Sequence, residues 1–440
     1  SIFKGIEKLM PAHYLLVERG QLKTGCYWEP KISEQKWTES EAQERLLELL
    51  RKSIELRLIA DVPLGVFLSG GIDSSAIAAL ASQMRGEKLN TFSVGFRDSS
   101  FDESEHAKLV ADHLGTNHHV AWFTQDLAES TLTELWDYLD EPIADASIVP
   151  TFFLSKMTKG HVTVALAGEG GDELFGGYPT YQAHHLARLW TSVPAIFRRS
   201  VIEPAIRSLP VSHDNLSFDF KAKKFISAAE QPAITRHLQW MGSIPLSEHP
   251  RLMRSGLATL TREDQLYKPH FAIKNAAAHS DVVSEIMRLD LNTYLPDDLL
   301  VKSDRASMAA SLEVRLPFLA YPLVEFALSL PPSLKLHGMN LTTKYLLKKA
   351  IAPYLPESII KRPKKGFGIP VAKWLRSDFK PLLDELLSDS YIEKQGLFDY
   401  AYVSEIKRQH ESGQADRRKE LWTLFMFQWW WRKFFDGRGK

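Results

Sequence analysis

The chain has 440 residues, 44% of them hydrophobic and 25% charged, with a formal net charge of zero. That balance predicts a large buried core and two or three domains, or one large domain with an appendage, and it excludes strong non-specific attraction to nucleic acid or to an acidic membrane. The single cysteine, Cys26, excludes intrachain disulfides and a cysteine-based zinc site, and with no apolar run of membrane-spanning length and no signal-peptide pattern the expected location is the reducing cytoplasm.

Residues 1–30 read as a hairpin, in which Tyr14–Val17 and Tyr27-Trp28 flank Glu18-Arg19-Gly20-Gln21. A lone hairpin is marginal without a sheet to join. A polar linker is expected at 31–40. Glu41 to Ile59 reads as a helix with Leu46, Leu47, Leu49, Leu50, Ile54 and Leu58 on its apolar side, stopped by Asp61-Val62-Pro63. Strand–helix units follow: strand 66–68 with a helix to about Met84, strand Thr91–Phe96 with a helix Asp102–Leu114 capped by Asp102, and a short strand His118–Trp122. A helical stretch to Asp140, a helix over about Pro150–Lys159 and a strand Val162–Ala167 complete the alternation. The pattern predicts an α/β fold, a parallel sheet with helices on both faces. Ligands of such a sheet sit at the carboxyl ends of its strands.

Beyond about residue 180 the pattern is mainly helical, with loops near 208–216, 242–250 and 361–370, and Trp429-Trp430-Trp431 belongs to a core-packing terminal helix. His118 and His119 are adjacent in a strand, so they face opposite sides and do not form a metal pair. Cys26 has no base nearby in sequence and reads as structural.

Four stretches carry chemistry. In Leu68-Ser69-Gly70-Gly71-Ile72-Asp73-Ser74-Ser75 a strand breaks into a Gly-rich loop that opens a helix. Glycines let backbone approach a phosphate, hydroxyls donate, and the helix N-terminus adds unpaired N–H groups. No lysine ends the loop, so it is not Walker A, and no third glycine stands at the helix start, so it is not a dinucleotide fingerprint. Asp73 beside an anion site requires a cation, naturally Mg²⁺. The second stretch, Ala167-Gly168-Glu169-Gly170-Gly171-Asp172-Glu173 through Gly177-Tyr178, also follows a strand and faces the same crevice. Asp73 and Asp172 are candidate Mg²⁺ ligands, and Glu169 is a candidate base. The third, Lys361-Arg362-Pro363-Lys364-Lys365-Gly366-Phe367-Gly368, taken alone reads as a solvated basic loop. In the fourth, Lys302 through Phe318, alternating charges in an apolar helical region predict buried ion pairs, either structural or lining a substrate pocket. Asp140-Glu141-Pro142 and Asp145-Ala146-Ser147 form a short acidic loop between helices, expected near a bound nucleotide.

The Ser69 loop resembles the pyrophosphate-binding loop of the N-type ATP pyrophosphatases. Together with Thr91–Phe96, Gly168–Tyr178, Ser307–Phe318 and Lys344-Tyr345-Leu346-Leu347, it resembles the synthetase domain of glutamine-hydrolysing asparagine synthetases of the bacterial B type, from about residue 40 to the C-terminus. Residues 1–30 then look like the closing hairpin of that family's glutaminase domain, and 41–180 and 181–440 like its α/β core and helical half. The resemblance implies that ATP and aspartate form β-aspartyl-AMP and pyrophosphate, and that ammonia then displaces AMP. It implies that Ser69, Gly70, Gly71, Asp73, Ser74 and Ser75 grip pyrophosphate, and that Leu68, Val94 and Gly168 border the adenosine with Ala167 beside them. Asp73 and Asp172 would hold Mg²⁺, Glu169 would deprotonate the amine, and Lys364 would stabilise charge at phosphorus, with Lys365 as its rival.

The family's glutaminase uses an N-terminal cysteine, whereas residue 1 here is Ser1. The chain is therefore expected not to hydrolyse glutamine, and its abrupt start reads as that of a fragment. Ammonia is expected free, from a glutaminase domain on the parent chain, or from a separate subunit. A homodimer is compatible with this reading; nucleic acid and membrane partners are not expected. Beta-lactam synthetases, macrolactam-forming cyclases and sugar-acid amidotransferases resemble the same scaffold and act on other carboxylic acids. The first carry tyrosine where Glu169 stands, which favours ammonia-using members.

Overall fold

The computed structural model describes residues 1–31, 35–215, 217–274, 281–338 and 340–436. Of the linker expected at 31–40, residues 32–34 lie outside these. The hairpin is present as β1 (His13–Glu18) and β2 (Gln21–Cys26), paired only with each other. It is pinned to the body just past β2. Trp28 stacks on Tyr321 at 4.5 Å and donates from Nε1 to Glu325 Oε1 at 3.1 Å.

Helix α1 (Glu39–Arg57) starts at a capping box in which Thr38 and Glu41 satisfy each other's backbone N–H. Five parallel strands follow: β3 (Leu64–Phe67), β4 (Asn90–Phe96), β5 (Asn117–Phe123), β6 (Val164–Leu166) and β7 (Glu313–Arg315), in the order β5-β4-β3-β6-β7. The second half is mainly helical, as expected, but it also supplies the fifth strand of the sheet. Three residues carry no readable alternation, and only the edge of β6 makes Glu313–Arg315 a strand. Helices α2 (Ile72–Met84), α3 (Ser104–Leu114), α4 (Gln125–Trp136) and α5 (Ile148–Lys159) supply the crossovers. Asp102 does not cap α3 as expected. It sits one residue early, and its carboxylate accepts from the N–H groups of Phe96 and Ser104 and ties the end of β4 to α3.

The chain winds outward in one direction from β3 through β4 to β5, and in the other from β6 to β7. The switch point therefore lies between β3 and β6, where a crevice opens at the carboxyl ends. Val66 pairs in register with Leu166, so the loops at Ser69 and Gly168 leave the sheet side by side.

Two apolar clusters cover the sheet. One joins Leu46, Leu50, Val66 and Ile77 to Phe318, Leu346 and Ile351; the other joins Phe96, Phe123 and Phe152 to Trp374, Phe425 and Trp430. Both cross residue 180. The helical half is thus part of the same cores as the sheet. The aromatic helix Arg418–Phe434 packs inward, with Trp422, Trp429 and Trp430 buried. Among the described residues no helix is long and apolar enough to cross a membrane.

Candidate functional site

A cleft of about 750 Å³ opens at the switch point. Leu68, Ser69, Gly71, Asp73, Ser74, Val94, Ala167, Gly168, Glu169, Asp172, Lys364 and Lys365 all reach its wall. Two of the expected residues do not line it. Ser75 is fully buried. Gly70 offers its carbonyl to Arg362 Nη1 at 3.0 Å, and at φ 70° an added Cβ would lie 2.6 Å from the Ala107 backbone, so only glycine fits. The loop is preformed: Ser69 and Ser74 hydroxyls meet at 3.1 Å, and Ser74 Oγ donates to the Gly71 carbonyl at 3.2 Å. Gly71 caps a helix of 13 residues without a side-chain bond, which leaves first-turn N–H groups facing the cleft.

Asp73 and Asp172 converge from the two loops, and Lys344 lies between them. Its Nζ is 2.6 Å from Asp172 Oδ1 and also pairs with Asp73. Lys344 is 3% exposed and holds φ at 53°, a left-handed conformation that lysine rarely adopts. Gly177 makes room, because a methyl there would overlap Asp172 Oδ1 and Lys344 Cε. Lys364 Nζ takes the other side of Asp172, 2.5 Å from Oδ2. Burial pushes the Asp73 carboxyl up, against the pull of Lys344. Burial acts on Asp172 too, but Lys344 and Lys364 outweigh it and hold that carboxyl below the usual range. Burial lowers Lys364, yet Asp172 and Asp73 more than compensate and keep it firmly charged.

The neighbouring lysine is turned elsewhere. Lys365 Nζ donates to the Asp102 carbonyl at 2.9 Å. Across the cleft Glu169 Oε1 accepts from Ser303 Oγ at 3.1 Å. The next residue, Lys302, is buried and pairs with Asp145 Oδ2 at 3.0 Å, while Asp145 Oδ1 is saturated by the N–H and hydroxyl of Ser147. The alternating charges of the fourth stretch therefore divide: Lys302 lines the cleft, whereas Arg305 pairs with Asp140 at the surface.

This arrangement places backbone donors, two carboxylates and two ammonium groups around one point, opposite a glutamate. Residues 45–432 match the asparagine synthase family. The chain belongs to the asparagine synthase family. It is 32% identical, over 98% of its own length and 64% of the relative's, to a Mycobacterium tuberculosis protein provisionally named a glutamine-hydrolysing asparagine synthetase. It is 29% identical to asparagine synthetase 1 of Bacillus subtilis, over 97% of this chain and 65% of the other. It is also 25% identical to the amidase chry2 of Gibberella zeae, over 91% and 64%. The chain spans just under two thirds of the length of these relatives.

In this member of the asparagine synthase family, several cleft residues carried no readable role in the sequence. Lys344 heads a motif whose only visible signal was a lysine before an apolar helix. Glu173 lies in the Gly168–Tyr178 stretch and is 1% exposed. Burial, then the charge of Asp172, pushes its carboxyl up to about 7, and Tyr178 donates to it at 2.5 Å. Asp298 and Lys419 also line the cleft and come from distant segments, so no local spacing joined them.

Proposed function

We propose that this chain activates a carboxylic acid with ATP and passes it to ammonia. The acid would form an acyl-adenylate with release of pyrophosphate, and ammonia would displace AMP to give an amide. The observation that carries this reading is the convergence on one crevice of the Ser69 loop, the Asp73–Lys344–Asp172–Lys364 array and Glu169. Loop N–H groups and hydroxyls suit a pyrophosphate leaving group. Lys364, held charged, suits the negative charge that builds at phosphorus in the transition state. Glu169, hydrogen-bonded and facing the cleft, suits a proton acceptor for the attacking amine.

Mg²⁺ fits the donor set. Asp73 Oδ1 is buried with no hydrogen-bond partner, and Mg²⁺ characteristically takes one or two carboxylates with phosphate oxygens. Asp73 and Asp172 would hold it, and it would neutralise phosphate charge.

Aspartate is the acid we favour. The cleft wall also presents an acid and a base that are not ion-paired among the described residues. Asp298 has neither hydrogen bond nor ion pair among the described residues, and burial followed by the charge of Asp145 pushes it up to about 7. Lys419 reaches only the Met241 carbonyl, at 3.5 Å, and the Phe220 ring. An α-ammonium and an α-carboxylate would complement the two. Relatives named amidases keep another acid as the second reading. Ammonia would come from glutamine through a domain on the parent chain or a separate subunit.

The test is pyrophosphate release from ATP, Mg²⁺ and aspartate, with ammonium or glutamine supplied in parallel. Aspartate-dependent pyrophosphate, with asparagine formed from ammonium, is expected. ATP binding without aspartate-dependent pyrophosphate would move the assignment to another acid.

A further inference from the structure

Glu173 is a buried carboxyl that the chemistry above does not use. Its side chain accepts from the Tyr178 hydroxyl at 2.5 Å. The other side of this pair is Lys364: its Nζ stands 5.9 Å from the centroid of the Tyr178 ring, within reach of a cation–π contact. We propose that Glu173 and Tyr178 form a positioning pair for Lys364, an inference that rests on the adenylating reading of the cleft.

Lys364 needs such a device. It lies in a segment, 362–370, without regular secondary structure, at the end of four rotatable side-chain bonds. Among the described residues its ion pair is with Asp172, and a phosphate chain entering the cleft competes with that carboxylate for the ammonium. The ring carries no charge and does not compete, so it keeps the lysine in place while the ion pair is exchanged. A phenol that donates to a carboxylate has a more electron-rich face, which strengthens the hold on a cation.

The platform itself is fixed. Tyr178 packs against Tyr181 at 5.6 Å and edge-on against Tyr294 at 6.0 Å. Tyr181 in turn donates to Asp290 Oδ2 at 2.7 Å, and Asp290 Oδ1 lies 2.8 Å from His237 Nε2. A packing role alone would be met by phenylalanine beside an apolar residue. The buried acid is explained by what the hydroxyl does for the ring.

The test uses the full chain. Y178F and E173Q should each lower kcat for pyrophosphate release about tenfold, and Y178L more, with KM for ATP changed by less than about twofold. In a K364R background the same substitutions should have little further effect, because the group they position has changed. Lysine acetylation read by mass spectrometry should run several-fold faster at Lys364 in Y178L, with Lys365 unchanged. Equal effects in both backgrounds, or losses that follow ATP affinity and thermal stability, would mark the pair as merely structural and overturn the proposal. Y178F removes one oxygen and preserves shape, so it serves if Y178L does not fold. A wild-type chain that releases no pyrophosphate with any acid overturns the adenylating reading, and the labelling then still decides whether Tyr178 holds Lys364.

Discussion

Lys344 Nζ lies 2.6 Å from Asp172 Oδ1. The same ammonium pairs with Asp73, so one lysine from the helical half joins the two loops at the sheet's switch point. Its removal leaves two buried carboxylates face to face. K344M should lose about 3–5 kcal/mol of stability at pH 7. The loss should shrink in acidic buffer, because the Asp73 carboxyl, already pushed up by burial, takes a proton more readily than a free carboxylate. Urea unfolding in neutral and acidic buffer measures both.

Gly177 protects the same array. G177A places a methyl against Asp172 Oδ1 and Lys344 Cε. A cost of about 2–3 kcal/mol is expected, together with loss of ATP binding by calorimetry. A G176A control should keep the cleft, since an added Cβ there lies 3.4 Å from Lys335 and pays mainly in backbone strain.

Lys364 and Lys365 are neighbours with different duties. K364M should lower kcat for pyrophosphate release by at least about 100-fold while ATP still binds. K365M removes a bond to the Asp102 carbonyl at the cleft's edge, and its kcat should stay within about threefold of wild type. Steady-state kinetics with direct nucleotide binding separates the two.

Asp298 sets a pH dependence. Burial, then the charge of Asp145, pushes its carboxyl up to about 7 against the pull of Lys302 and Lys419. It can attract a substrate ammonium only when ionised. The KM for the acid should therefore rise about fivefold between pH 7 and pH 6, with KM for ATP flat. D298N should show a high KM with no such slope.

Much of this architecture was legible in the chain. The strand–loop–helix units, the Gly-rich loops and the acidic residues within them are local features, each written in a run of ten or so residues with a period or a turn signal of its own. The fifth strand was the exception: Glu313–Arg315 became one only by pairing with β6. The two loops could be placed on one crevice because both follow strands of a parallel sheet. Asp73, Glu169 and Asp172 were therefore candidates from residue type and position, whereas Lys364, in a loop that alone reads as solvated, became one only through the family resemblance.

Tertiary structure alone decided what those residues touch. Lys344 meets Asp73 across 271 positions, and Lys302 meets Asp145 across 157. Ser75 carries the same hydroxyl as Ser74 in the same loop, yet one is buried in the core and the other lines the cleft. Lys364 points at Asp172 while Lys365 turns to a backbone carbonyl. Periodicity and turn chemistry act over a few residues, so the sequence determined the elements and the kinds of group they carry. Burial and ion pairing depend on which distant segments come together, and only the packed chain settles that.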